Sequence, residues 1–235
     1  MKIYNQNNNE LQIYLIATPI GNNEESSFLS LKILKNASLI ICEDTRRTKD
    51  LLKKNDINFE GKKFIFLNKF NENSQTISEK IYQECLSGKT IAMVSDAGYP
   101  LVSDPGFKVV RFLREKDIYI KIINGPNSIL PALVLSGFPT DSFYFGGFLN
   151  NKITQKIIKL SYLKEIKTTL IFFESINKID KFLDAIYRVF GENIEICICR
   201  EISKTFEEVL IGTVKEFIDK EWIKKGEIVV LINNK

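Results

Sequence analysis

The chain is predicted to be an α/β protein built from two α/β domains. Two observations predict this. Short β-branched, apolar runs alternate with segments of helical spacing along the 235 residues, the pattern of strands covered by helices. The chain is also longer than one average domain, and its 44% apolar and 26% charged residues are those of a globular protein.

Taken in order, residues 11–17 read as the first strand, with a turn over 18–23. Helical spacing over 28–36 leads to a second strand at 38–42, a charged helix at 45–54 and a third strand at 63–67. Over 74–86, Ile77, Ile81 and Cys85 recur every fourth residue, one face of a helix. A fourth strand at 90–94 runs into a loop rich in glycine and proline, followed by a helix at 107–115 and a fifth strand at 119–123. This half predicts a parallel sheet. The second domain is predicted to begin at Asn124, so the domains are 1–123 and 124–235. Its elements are helices at 128–136, 152–163 (basic and amphipathic), 178–190 and 214–220, and strands at 143–148, 168–173, 195–199, 207–211 and 227–232. Residues 1–10 are polar and asparagine-rich, and are expected to be a frayed leader without an apolar signal core.

Histidine is absent. That excludes a Ser-His-Asp triad, a Cys-His pair and any zinc site with a histidine ligand. Acid–base work falls to Asp, Glu, Lys, Tyr or Cys. Cys42, Cys85, Cys197 and Cys199 form no C-x-x-C pair and are expected to be buried, reduced thiols of a cytoplasmic protein, with no metal site. Cys197 and Cys199 are expected on one face of a strand. No run approaches the roughly 18 apolar residues of a membrane span. The net charge of +4 permits a polyanionic partner without requiring one.

Several motifs fall at strand ends, where α/β folds bind ligands. Ala17-Thr18-Pro19-Ile20-Gly21-Asn22 follows strand one and is neither a dinucleotide fingerprint nor a Walker loop. Glu43-Asp44-Thr45-Arg46-Arg47-Thr48 follows strand two. Asp44 or Thr45 can cap the next helix. Adjacent arginines there, in a basic set dominated by lysine, suit bidentate contact with carboxylate or phosphate. The densest stretch runs from Ser95 to Gly106, Ser-Asp-Ala-Gly-Tyr-Pro-Leu-Val-Ser-Asp-Pro-Gly. Its turn residues mark a binding loop, its glycines allow close approach of a ligand, and Pro105 suits the first turn of the following helix. Asn124-Gly125-Pro126-Asn127-Ser128 stands before a helix, where backbone N–H groups can hold a carboxylate or simply be capped. Phe172-Phe173-Glu174-Ser175 and Arg200-Glu201-Ile202-Ser203-Lys204 also mix charge with strand ends, and a surface salt bridge accounts for Arg200 and Glu201.

The ordered set T-P-I-G-N, E-D-T-R-R-T, S-D-A-G-Y-P-L-V-S-D-P-G-F, G-P-N-S, F-F-E-S, R-E-I-S-K-T-F-E-E and G-E-I-V-V-L-I closely resembles the bacterial small-subunit ribosomal RNA methyltransferase I family. That family lies within the tetrapyrrole (corrin/porphyrin) methylases. The resemblance spans about residues 11–232. It implies two α/β domains of the tetrapyrrole methylase type with S-adenosylmethionine in the cleft between them. It also implies a homodimer and 2′-O-methylation of a cytidine in the decoding region of small-subunit ribosomal RNA. Cofactor-binding positions carried over are Pro19, Ser95, Asp96, Ala97, Gly98, Tyr99, Gly125, Pro126, Ser128 and Ala132. Glu72, Asp44 or Glu43 would take the ribose proton, and Arg46, Arg47, Lys69 and Arg200 would grip phosphates. The same resemblance leaves as alternatives a corrin- or porphyrin-like substrate and a non-catalytic RNA-binding relative.

Three departures stand out. Tyr99 replaces the family's usual threonine. Asparagines stand for histidines in Phe70-Asn71-Glu72-Asn73 and in Ser175-Ile176-Asn177-Lys178, where they are expected to keep hydrogen bonds to RNA. The family's helical extension after the last strand is missing, which is expected to weaken RNA docking.

Overall fold

The computed structural model describes residues 12–235, and the chain divides between Asn127 and Ser128 into two compact units. The expected leader and Leu11 of the first strand lie outside the described residues.

The first unit is a five-stranded parallel sheet. Its strands are β1 (Gln12–Ile16), β2 (Leu39–Cys42), β3 (Lys63–Phe66), β4 (Ile91–Val94) and β5 (Tyr119–Ile123), in the order β3-β2-β4-β1-β5. The helices are α1 (Phe28–Asn36), α2 (Thr45–Lys54), α3 (Gln75–Leu86) and α4 (Phe107–Glu115). β2 and β4 are buried at every position because helices cover both faces, which is why they read as unbroken apolar runs. Ile13, Leu39, Ile41, Ile91 and Met93 pack with Ile81 and Cys85 of α3 and Val109 and Leu113 of α4. Their alternate neighbours Ile16, Ile40, Cys42, Ala92 and Val94 pack with Ile33 and Leu34 of α1 and Leu52 of α2. Each fully buried aliphatic side chain of this kind contributes about 1.5–3 kcal/mol. Because all five strands run the same way, the loops after β1, β2, β3, β4 and β5 open along one edge of the sheet. Pro105 is not in the first turn of α4. Gly106 caps that helix at φ 124°, a conformation glycine tolerates, and Pro105 precedes the cap.

The second unit holds α5 (Ile129–Ser136), β6 (Phe143–Phe148), α6 (Ile153–Lys164), β7 (Thr168–Ser175), α7 (Ile179–Phe190), β8 (Glu195–Arg200), β9 (Glu208–Thr213), α8 (Val214–Asp219) and β10 (Glu227–Asn234). Its sheet is mixed, in the order β6-β7-β10-β8-β9, with only β6 and β7 parallel. One face packs on α6, α7 and α8 through Leu160, Phe182, Ile186, Val214 and Phe217. β10 runs two residues beyond the predicted end because the Asn234 amide donates to the carbonyls of Leu163, Lys164 and Ile166, closing the end of α6. β7 likewise runs on through Glu174, whose carboxylate pairs with Lys156. On this basic, amphipathic helix Lys156 is itself fully buried. Cys197 and Cys199 share a face of β8, with their Sγ atoms 3.6 Å apart.

Candidate active site

The loops along the carboxyl edge of the first sheet are tied to one another. Thr18, just past β1, forms a two-way backbone bridge with Gly98: Thr18 N donates to Gly98 O at 2.9 Å, and Gly98 N donates to Thr18 O at 3.0 Å. The Thr18 hydroxyl donates to Ser95 O at 3.1 Å, and the Ser95 hydroxyl to Gly98 O at 2.9 Å. Gly98 takes φ 76° to make this bridge. The Tyr99 hydroxyl donates to Asn124 Oδ1 and accepts from Gly125 N–H, each at 3.3 Å, so the residue that departs from the family pattern joins the loops after β4 and β5. A Cβ on Gly125 would stand 3.0 Å from the Ala17 carbonyl oxygen, so glycine is what lets the fifth loop lie against the first. Leu101 and Ser103 hold φ 72° and 67°, left-handed conformations that cost free energy and cluster at functional loops.

The second constellation is charged. Asp44 caps α2: its carboxylate accepts from Arg46 N–H at 2.8 Å and pairs with the Arg46 guanidinium at 2.7 Å. Those bonds hold its carboxyl at about 2. The Asp44 N–H donates to Asp96 Oδ1 at 3.1 Å, and Arg47 lies 3.5 Å from Asp96 Oδ2. Glu43, next to Asp44 in the chain, lines a small open hollow together with Cys42, Leu67, Met93, Ser95 and Asp104, among others. Burial pushes the Glu43 carboxyl up, as does Asp96, while Lys69 and Arg47 pull it down. Burial also raises Asp96, against the pull of Arg47. Asp104 is pushed up to about 6, by burial first and then by Glu43 and Asp96.

Glu72 sits on the loop after β3, and its carboxylate accepts from Gly106 N–H at 2.9 Å, at the start of α4. Lys69 is exposed on the same loop. Pro19 is half-buried after β1, Ala97 is exposed after β4, and Pro126 is half-buried after β5. Ser128 and Ala132 belong to the second unit. Ser128 is the N-cap of α5 with no side-chain cap bond, and Ala132 is fully buried, its carbonyl 3.8 Å from Cys199 Sγ.

Two expectations are corrected. Arg200 does not lie on the surface beside Glu201. It is buried, its Nε donates to Glu208 at 3.0 Å and its Nη1 to the Lys225 carbonyl at 3.5 Å, so its charge is engaged inside the second unit. Asp44 is capped and ion-paired at a carboxyl value near 2, too weak a base to take a ribose proton. Thr18 and Asp104 were not singled out from the sequence, although both stand in motifs that were.

Asp104 carries a pH consequence. Its folded value lies above its ordinary 3.8, so ionisation destabilises the fold, and stability falls as pH rises from about 4 through about 6. Asp104→Asn removes that charge. It is expected to melt roughly 2–6 °C above the parent at pH 8 and alike at pH 4. An equal gain at both pH values would attribute the effect to packing.

The sequence pattern of the Tetrapyrrole (Corrin/Porphyrin) Methylases matches residues 12–218. The chain is 39% identical to the ribosomal RNA small subunit methyltransferase I of Halalkalibacterium halodurans, over 97% of this chain and 78% of that protein. It is 40% identical to the protein of the same name from Rickettsia prowazekii, over 94% of this chain and 78% of that one. Among solved structures, uroporphyrin-III C-methyltransferase from Thermus thermophilus, complexed with S-adenyl homocysteine, matches with a TM-score of 0.61 over 94% of this chain and 96% of that one. At 13% identity, that likeness shows the fold. The chain belongs to the tetrapyrrole methylases and, within them, to the ribosomal RNA small subunit methyltransferase I family.

Proposed function

We propose that the chain is an S-adenosylmethionine-dependent methyltransferase acting on small-subunit ribosomal RNA, at the ribose 2′-oxygen of a cytidine in the decoding region. The observation that carries this reading is the placement, in a chain of this family, of exposed Arg46, Arg47 and Lys69 along the sheet edge that also holds the carboxyl-lined hollow.

The first-unit loops suit the cofactor. Tight backbone at Gly98 and Gly125 leaves close-approach surface, and the Tyr99 hydroxyl and Ser95 hold the loop shape. Pro19, Ser95, Asp96, Ala97, Gly98, Tyr99, Gly125 and Pro126, all of the first unit, would hold it. When bound, S-adenosylmethionine supplies an electrophilic methyl on a sulfonium. The protein's part is to hold the ribose hydroxyl in line with that methyl and to remove its proton. Glu43 is assigned that proton, because it lines the hollow and burial raises its affinity for one. In this reading the Glu43 carboxylate would accept the ribose hydroxyl proton. Glu72 positions the loop after β3 through Gly106. Arg46, Arg47 and Lys69 take phosphates, a positioning role.

Among the described residues no helix is long and apolar enough to cross a membrane. A cytoplasmic homodimer acting on the assembled small subunit is part of the proposal.

The test is methyl transfer from labelled cofactor to small subunits lacking the mark, with the product mapped. One 2′-O-methylated cytidine in the decoding region is expected. Cofactor binding without transfer to RNA would overturn the reading. The double variant Arg46→Ala, Arg47→Ala should raise KM for subunits by about 10-fold or more and weaken its salt dependence.

A further inference from the structure

Phe70 is 95% exposed, the most exposed large apolar residue among the described residues, and it stands on a turn that is held in shape. Asn68 Oδ1 accepts from the N–H groups of Phe70 and Asn71, each at 2.9 Å. Asn71 Oδ1 accepts in return from Asn68 N–H at 2.7 Å, and its amide donates to Phe66 O at 3.1 Å. Glu72 then anchors the turn to Gly106 N–H at the start of α4. Five hydrogen bonds therefore present an aromatic ring to water where burial would stabilise the fold.

The neighbours say what the ring meets. Lys69 is exposed beside it and acts electrostatically on Glu43 and Asp104, so the turn adjoins the hollow. Arg46 and Arg47 are exposed on the same sheet edge. An aromatic face beside cations fits an unpaired nucleobase and its phosphate better than an apolar protein surface, because stacking tolerates any base and the cations take the backbone.

Resting on the RNA reading above, we propose that Phe70 is a substrate-positioning residue: its ring stacks on an unpaired base next to the target nucleotide, with Lys69 on that base's phosphate. The chain then requires single-stranded RNA at this step.

The test has two arms. In the first, Phe70→Ala and Phe70→Tyr are assayed on small subunits. Phe70→Ala should raise KM by about 10-fold or more, with kcat within about 3-fold and with unchanged cofactor affinity and melting temperature. Phe70→Tyr should restore KM. If the parent marks the RNA and Phe70→Ala leaves KM unchanged, the inference falls and the RNA reading stands. In the second arm, Phe70→Trp is titrated with a single-stranded RNA oligonucleotide and with a duplex, against the parent, whose only tryptophan is Trp222. Quenching by the single strand alone is expected. No quenching by either overturns the inference even if the parent transfers nothing, a result that would separately overturn the RNA reading.

Discussion

Glu43→Gln is expected to lower kcat for methyl transfer by at least about 10²-fold, the lower range for loss of a general base. Cofactor affinity should change by less than about 2-fold, because the change is isosteric and the cofactor loops are tied elsewhere. Glu43 is the choice among three acids for physical reasons. Asp44 is held at about 2 by Arg46 and has its oxygens taken. Glu72 accepts from Gly106 N–H, a bond that glutamine can also accept, so Glu72→Gln should retain most of the rate. Glu43 lines the hollow, and burial raises its affinity for a proton. The base must be ionised to act, so the parent's rate should climb with pH through the raised Glu43 value. The ionisation of Asp104 near 6 should shape the same limb, because the Glu43 charge is one of the causes that raise it. Glu43→Gln should remove that limb. If Glu72→Gln abolishes transfer and Glu43→Gln does not, the base is Glu72.

The first unit was legible because two-sided burial leaves a plain record. β2 and β4 are apolar at every position, the helices between the strands carry their own periodicity, and turn residues crowd the strand ends. The antiparallel arrangement of β8, β9 and β10 was not legible. Strand direction depends on which edges pair across distant segments, and an apolar run such as Ile196–Ile198 or Ile228–Ile232 carries no such mark. The candidate site was legible as loops and illegible as bonds. The motif containing Asp44 was plain, yet only the structure gives that carboxylate to Arg46 and to the start of α2. Arg200 failed for the converse reason. Its partner is not the adjacent Glu201 but Glu208, brought opposite it by the pairing of β8 and β9. Lys156 is the largest surprise, a lysine on a helix that reads as basic and amphipathic, and yet fully buried.

That lysine leads to the largest effect expected on stability. Lys156 reaches from α6 to the Glu174 carboxylate near the end of β7, and both side chains are almost wholly out of water. Glu174 also accepts from Ser175 N–H at 2.8 Å, and the Lys156 ammonium lies 4.9 Å from the centre of the Phe182 ring. Lys156→Met keeps the length of the stem but strands a carboxylate in the core, which costs about 3–5 kcal/mol. Trp222 is the chain's one tryptophan and packs in the second unit, its Nε1–H bonded to Phe217 O at 3.2 Å. Its emission therefore follows the unfolding of that unit alone. Lys156→Met should move that transition to lower denaturant. The double variant Lys156→Met, Glu174→Gln should recover much of the loss, because a neutral amide can still accept from Ser175 while no charge is left buried. Additive losses in the double variant would mean that the two residues are not coupled, and that α6 is held on the sheet by Leu160 and Leu163 without help from the pair. Recovery would show that what the lysine contributes is compensation for Glu174, whose place at the strand end the F-F-E-S motif fixes.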